Sequence, residues 1–432
     1  MTDLTNLAND IQAVKSDLAN AISLKGVPCS TNDAFNSYSD KVNSIQSGYF
    51  AGVNLANITY LGAGANISFH GLGSYLTSAP MFNSLTSMAG SYAISFSNCT
   101  EITGTAEFPV LSTITNSDAL SSAFNGCTNL TGVNFPALTQ AIRFNWTFNN
   151  CVNLLSANFP NLVSANFTNT FWNCRSLESV NLNSLSSTTL YRAFYNCSNL
   201  VSISFPSLTK FYSAADSAFD GCNNLETVDF SNLSDIGTTA NSMFQWAFAN
   251  CPKLKSFNLP KCIINSPGST FLGAFQNCTS LESFSVNAIT NFGLGGYGSS
   301  VFEGAFQNCT NLVSFKPNIE TSSPYWPSSA FQNCFNGCTN FADVSFLESC
   351  QGTGWGGTFI NCFRNCFALN NQHIYFNSFS YTASNYQSFI NMIYGVSNCT
   401  VHFPSSMQSI MSSWAPVQAG FGGTNTTVLF DL

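Results

Sequence analysis

Apolar residues return along this chain in one short phrase, spaced by Asn, Ser, Thr and Gly. From Ala123 the phrase reads Ala-Phe-Asn-Gly-Cys-Thr-Asn-Leu-Thr-Gly-Val-Asn-Phe-Pro-Ala-Leu. Leu130, Val133 and Phe135 predict a short strand with an inward apolar face. Pro136 then stops it, as Pro160, Pro206 and Pro260 do in other copies, because proline has no N–H for a ladder and sits at strand ends. The residue before each cysteine is Asn or Gly, from Asn98 and Gly126 to Asn365 and Asn398. Both tolerate a positive φ, so this position reads as the left-handed residue that ends a short helical turn. One copy is therefore predicted to be a helical turn, a tight corner, a short strand and a polar return loop.

The core of the phrase, Phe-x-[Asn/Gly]-Cys, occurs thirteen times between Phe96 and Cys366, and Val396-Ser-Asn-Cys399 is a degenerate last copy. With one cysteine counted per coil, successive copies lie 23 to 33 residues apart. That period belongs to a solenoid, whose coils bury their apolar face only by stacking. Stacking predicts core ladders of Phe124, Phe148, Phe171, Phe194, Phe219 and Phe248 beside Cys127, Cys151, Cys174, Cys197, Cys222 and Cys251.

The pattern A-F-x-N-C-x-x-L-x-x-[VIF]-x-[FL]-P-x-L resembles the BspA-type leucine-rich repeat of bacterial surface proteins over about residues 95–404. Phe stands in place of Leu or Ile at several core positions, in keeping with 41 Phe in the chain. The expected fold is an α+β solenoid of about twelve coils, each a short strand plus a helical turn, with a helical segment ahead of it. The chain then divides into a helical anchor or oligomerisation segment (1–47), a linker and opening cap (48–94), the solenoid (95–404) and a C-terminal cap (405–432). In the last of these, Val401-His-Phe-Pro404, a helix near Ser405 to Trp414 and Thr426–Phe430 read as strand, helix, strand.

Only 7% of residues are charged, so solubility rests on Asn, Ser and Thr. The formal charge of −8 argues against nucleic acid or an anionic membrane as partner. No apolar run of about 20 residues predicts a membrane span, and the start shows no signal-peptide pattern. Neighbouring ladder cysteines, held about 4.8 Å apart by strand spacing with parallel Cβ vectors, do not suit a disulfide. The odd count of 17 also favours buried, reduced thiols made in a reducing compartment. Cys334, Cys338, Cys362 and Cys366 offer four thiols for zinc, but their Cys-x3-Cys spacing reads more simply as a doubled tetrapeptide. His70, His373 and His402 lie far apart in sequence, and no hydrolase, metalloprotease or phosphate-loop motif has a usable context. No enzyme and no cofactor is expected.

Two regions carry the functional expectation. Leu4, Leu7, Ile11, Val14 and Leu18 alternate at steps of three and four, a heptad seam. A second amphipathic helix starts near Ser30, with Phe35, Tyr38, Val42 and Ile45 on one face. Two readings stand: an oligomerising, most plausibly trimeric stalk or particle anchor, and a hairpin that docks on its own solenoid. Leu18–Gly26 followed by Asp33–Ile45 resembles a short segment common near repeats in bacteriophage tail and minor structural proteins. This resemblance implies a virion protein of tail- or head-fibre type, made in the host cytoplasm and joined to other virion proteins through its N-terminal segment. The alternatives are a bacterial surface or released adhesin and a passive capsid or tail decoration. Trp146, Tyr191, Tyr212, Trp246, Tyr297, Tyr325, Trp326 and Trp355 fall between core positions. The loops lengthen toward the C-terminal half, so Tyr297, Tyr325 and Trp326 are the candidate binding residues for a host glycan or protein, with burial over the core edge as the plainer use of such rings.

Overall fold

Backbone groups that one coil leaves unpaired are met by its neighbours, and this decides the conformation of every coil. The computed structural model describes residues 15–16, 18–19, 55, 57–70, 76–236, 242–264, 268–290, 300–318, 329–349, 358–379, 386–411 and 420–432. The chain is a β-solenoid of about twelve turns with leucine-rich repeats, mostly strand with little helix. It forms two compact units, residues 1–208 and 209–432.

In the first unit, the strands that follow the cysteines, Gly104–Glu107, Leu130–Asn134, Ser156–Asn158 and Ser179–Asn181, form one parallel sheet. A second parallel sheet runs through Tyr60–Leu61, Ser87–Met88, Thr113–Ile114, Gln140–Arg143, Ser164–Asn166 and Ser187–Thr189. Register repeats from coil to coil: Val133 sits opposite Ala157, which sits opposite Val180. The 48–94 stretch, expected as linker and opening cap, already holds coils in this register, with Tyr60 opposite Ser87 and Ile67 opposite Ile94. In the second unit Ser256–Ile264 pairs with Ser283–Ile289, and His373–Tyr375, Thr400–His402 and Thr427–Leu429 form a final three-stranded sheet. A short helix, Gln408–Met411, lies between the last two of these strands in the sequence.

The helical turn expected in each coil, and with it the α+β class, is replaced by a ribbon of consecutive turns. In the coil ending at Cys151, Thr147, Asn149 and Cys151 donate N–H to carbonyls three residues back, at Phe144, Trp146 and Phe148. The alternating residues Phe144, Trp146, Phe148 and Asn150 donate instead to Asn166, Thr168, Thr170 and Trp172 of the next coil. An α-helix would use every N–H within its own segment and leave the neighbouring coil without partners. The ribbon is built of four-residue units: Phe144-Asn-Trp-Thr147 then Phe148-Asn-Asn-Cys151, and Phe167-Thr-Asn-Thr170 then Phe171-Trp-Asn-Cys174. The third residue of each unit has a positive φ. One such column is the residue before cysteine, as at Asn150, Asn173 and Asn196. The other lies four residues earlier, at Ser122, Trp146, Asn169, Arg192, Ser217 and Trp246.

The fourth residue of each unit closes it with a side-chain donor. Thr147 and Thr170 hydroxyls donate to the Leu120 and Phe144 carbonyls of the preceding coil, both at 2.8 Å. Cys127, Cys151 and Cys174 thiols donate to the Phe96, Phe124 and Phe148 carbonyls at 3.0–3.1 Å. Cysteine thus fills the core as a small hydrophobe and still supplies a weak donor. The fifteen described cysteines are free and buried. Burial pushes the Cys99, Cys262, Cys278 and Cys399 thiols up to about 12. The doubled tetrapeptides at 331–338 and 359–366 are coils in which both units follow the Phe-x-[Asn/Gly]-Cys pattern, with Cys334 and Cys362 in the place Thr147 holds.

Phenylalanines stack through the interior at ring separations of 5.3–5.6 Å from Phe96 through Phe124, Phe148 and Phe171 to Phe194. Phe219, Phe248, Phe275 and Phe306 repeat this in the second unit at 5.3–5.5 Å. On the surface, Asn side chains form ladders in place of ion pairs: Asn196 donates to Asn173, and Asn173 to Asn150, each at 3.0 Å. Gly126 takes the Asn position where the amide oxygen of Asn98 would stand 2.5 Å from any Cβ. The proposed seam residues Leu4, Leu7, Ile11 and Val14, and the second predicted helix, lie outside the described residues. Lys15, Ser16, Leu18 and Ala19 are helical, with Leu18 and Ala19 buried. No helix among the described residues is long and apolar enough to cross a membrane.

Candidate functional site

Outward-facing side chains of the turn ribbon come from the second and third positions of each four-residue unit, so each surface column repeats once per coil. In the first unit three coils fill these columns with aromatic residues. Trp146 stacks on Trp172 of the next coil with ring centroids 5.6 Å apart, and Trp172 meets Tyr195 of the coil after at 4.6 Å. The Arg192 guanidinium lies over Trp172 at 5.5 Å and over Tyr191 at 5.0 Å. The result is a patch of four rings around one cation. Trp146 is exposed, and Trp172, Tyr191, Arg192 and Tyr195 are half-buried beside it.

The backbone at the patch follows the ribbon. Trp146 and Arg192 have φ of 55° and 50° in a column where Asn169 and Ser217 also sit. A bulky side chain held there costs roughly 1–2 kcal/mol compared with Gly. Unpaired polar atoms mark the patch. Asn145 Oδ1, Asn149 Oδ1, Asn169 Oδ1 and Arg192 Nε are buried with no protein hydrogen-bond partner, four of the eight such atoms among the described residues. Asn149 and Asn169 are 7% and 5% exposed. They occupy the other diagonal of the two columns that carry Trp146 and Trp172. A buried acceptor without a partner costs about 1–3 kcal/mol. Buried polar atoms left unpaired are rare in folded proteins, so four of them around one patch set it apart from the other coils.

Of the predicted loop aromatics, the structure brings Trp146 and Tyr191 into this patch. Tyr212 is exposed. Trp246 is used by the fold, since its indole covers Gly273, whose Cβ would stand 2.4 Å from ring carbons at a φ of +60°. Tyr297, Tyr325, Trp326 and Trp355 lie outside the described residues. Trp172 and Tyr195 were hidden inside the tetrapeptide, where Phe-Trp-Asn-Cys and Phe-Tyr-Asn-Cys read as core. The variable second position was the signal, because the first and fourth positions, Phe and Cys, face the core. A smaller pair stands in the second unit, where Arg364 lies over Tyr394 at 4.4 Å.

A second constellation closes the C-terminal coils. His373, His402 and Asp431 are each 29 residues apart, one coil, and so stand side by side. His402 Nδ1 lies 2.9 Å from Asp431 Oδ1, and His402 Nε2 lies 2.8 Å from His373 Nδ1. The carboxylate accepts from His402 Nδ1–H, and the facing His402 Nε2 and His373 Nδ1 share one proton between them. With ring centroids 5.1 Å apart the two nitrogens meet head on, and their lone pairs do not converge on a shared ion. Tyr375 stacks on His402 at 4.5 Å. Among the described residues no group of three or more His, Cys, Asp or Glu side chains is placed to hold a metal.

The family described as BspA type Leucine rich repeat region matches the chain in six copies, over residues 29–143, 117–245 and 193–334. A leucine-rich repeat protein from Bacteroides ovatus is 19% identical, covers 88% of this chain with 86% of its own length, and has a TM-score of 0.43. A leucine rich cell surface protein from Faecalibacterium prausnitzii is 20% identical, with 62% and 78% covered and a TM-score of 0.23. An internalin from Listeria monocytogenes is 16% identical, with 97% and 90% covered and a TM-score of 0.28. No curated protein matches the chain.

Proposed function

The chain belongs to the BspA-type leucine-rich repeat family, and we propose that it is a non-catalytic adhesion protein whose turn face, at Trp146, Trp172, Tyr191, Arg192 and Tyr195, is the recognition surface. One observation carries this reading. The patch concentrates aromatic rings, an arginine and unpaired amides on three consecutive coils, where Asn ladders would satisfy the fold better. Aromatic residues and arginine are the side chains that dominate binding energy at protein surfaces.

In its finer form the reading places the protein on a bacteriophage particle. There it is a trimeric fibre component, held to other virion proteins by residues 1–47 and turning its solenoid to a glycan or protein on the host surface. The resemblance of Leu18–Gly26 and Asp33–Ile45 to phage structural segments supports this form. Family membership alone supports the second reading, a bacterial surface or released adhesin. Mass spectrometry of purified particles separates the two, and absence from particles removes the virion form. The recognition surface is tested separately. Trp146, Trp172 and Tyr195 replaced together by Ala should lower adhesion of the purified chain to host cells by on the order of tenfold or more. Tyr212→Ala should leave it unchanged. Equal adhesion by both variants makes the solenoid a passive decoration on this face.

A further inference from the structure

We infer that His373, His402 and Asp431 form a proton-loaded clasp, which fastens the last coils of the solenoid in mild acid and releases them in stronger acid. Each of the three residues comes from a different coil, so their hydrogen bonds tie three successive coils together. His402 is the middle member, its side chain 8% exposed, while Asp431 is 49% exposed and His373 is exposed. In strand register His402 lies between Tyr375 and Leu429, and Tyr375 stacks on its ring at 4.5 Å. Both of its nitrogens are engaged, Nδ1 by Asp431 and Nε2 by His373. The second nitrogen of His373 is left to solvent, and it is the place where the chain can take up a proton.

Uptake there makes His373 an imidazolium. Its Nδ1–H then donates to His402 Nε2 as a charged donor, and His402 Nδ1–H donates to the Asp431 carboxylate, which balances the charge from the far end. Hydrogen bonds with an ionised partner are roughly twice as strong as neutral ones. Folding therefore favours the loaded chain, and by linkage the load favours folding. The contribution grows as pH falls from about 7.5 to 5.5, across the range where a histidine ordinarily charges. A further proton reverses it. With both rings charged, two N–H groups face each other across 2.8 Å, and neither can accept. At about pH 4, the ordinary aspartate value, loss of the carboxylate charge removes the balance as well. Other ionisable groups near the clasp are few among the described residues. Tyr375 shares the strand of His373, and the segment packed before that strand carries Glu348, which accepts from Asn377 at 3.3 Å. Asp343, just ahead of that segment, is paired with Lys316 at 3.0 Å.

Hydrogen exchange of the full chain, corrected for the pH dependence of the exchange chemistry, tests this at the Phe403, Ser405 and Thr427 N–H groups, which bridge the last two coils. Their protection should rise on the order of fivefold from about pH 7.5 to 5.5 and fall again below about pH 4. The Phe159 and Phe167 N–H groups of the first unit should show no such rise. Asp431→Asn keeps an acceptor for His402 Nδ1–H without the charge, so protection at neutral pH should persist while the rise vanishes. His373→Gln should also abolish the rise, and His70→Gln should leave it intact. If His373→Gln frays the last coil at every pH, Asp431→Asn still decides. Flat or falling protection in the parent chain between pH 7.5 and 5.5 overturns the inference. So does a rise of the same size in Asp431→Asn, or an equal rise at Phe159 and Phe167.

Discussion

Raising the pH from 8 to about 10 should unfold this protein in one steep step, with no ligand or metal removed. The cause is the stack of buried thiols. Burial pushes every one of thirteen ladder and core thiols up from the ordinary value of 9.0, and neighbouring cysteines add to the effect at several of them. The folded state keeps its protons while the unfolded chain loses them above pH 9. The stability each thiol contributes is therefore fully present below pH 9, and is lost as pH rises from 9 toward 12. At pH 10 the unfolded chain has given up most of these protons while the folded chain still holds them, and the differences, summed over so many thiols, outweigh the marginal stability of a folded domain. The S–H donors to Phe124 and Phe148 carbonyls are lost with the same protons. Circular dichroism against pH, with reductant present and reversal checked at pH 7, reads the transition. A spectrum unchanged to pH 11 contradicts the assignment of these cysteines as buried protonated thiols. So does rapid alkylation of the ladder by iodoacetamide at pH 8.

Phe257→Ala should be among the most damaging single substitutions. Phe257 is the second residue of the long strand Ser256–Ile264 and enters between two phenylalanine columns. It meets Phe248 and Phe275 at 5.2 and 5.0 Å, Phe244 at 5.6 Å, and stacks on Phe284 at 5.9 Å. Truncation leaves a cavity where both columns and the neighbouring coil lose a partner. The expected cost is about 3–5 kcal/mol, with individual ring pairs worth about 0.5–1.5 kcal/mol of it. Urea midpoints of Phe257→Ala and of Phe367→Ala, whose ring is 49% exposed, give the comparison. Similar midpoints for the two would mean that the columns do not carry the stability.

Much of the architecture was legible in the residues. The period of the cysteines implied stacking, and the invariable Asn or Gly before them located one column of positive φ at Asn150, Asn173 and Asn196. The strand from Leu130 was legible too, because its alternation and Pro136 are local signals. The helical turn misled for a physical reason. Phe144 and Phe148 are four apart, a spacing that suits an α-helix as well as a chain of four-residue turns. What separates them is whether alternate N–H groups find acceptors in the next coil, and no single copy contains that information. The second positive-φ column was hidden likewise, since Trp146, Arg192 and Trp246 have no intrinsic preference for it and are held there by neighbours. The patch itself was half legible. Trp146 and Tyr191 stood out as loop aromatics, whereas Trp172 and Tyr195 were absorbed into the repeat. Counting by coil instead of by sequence distance would have found both the ring stack and the His373–His402–Asp431 chain.

The central claim is that recognition belongs to the turn face at the Trp172 patch. Hydroxyl-radical footprinting of the full chain, free and incubated with the cells proposed as its host surface, tests this most directly. Protection concentrated on Trp146, Trp172, Tyr191 and Tyr195, with Leu155 and Val163 beside the strands equally labelled in both states, is the predicted result. Protection of Leu155 and Val163 with the four rings labelled as in the free chain would contradict it.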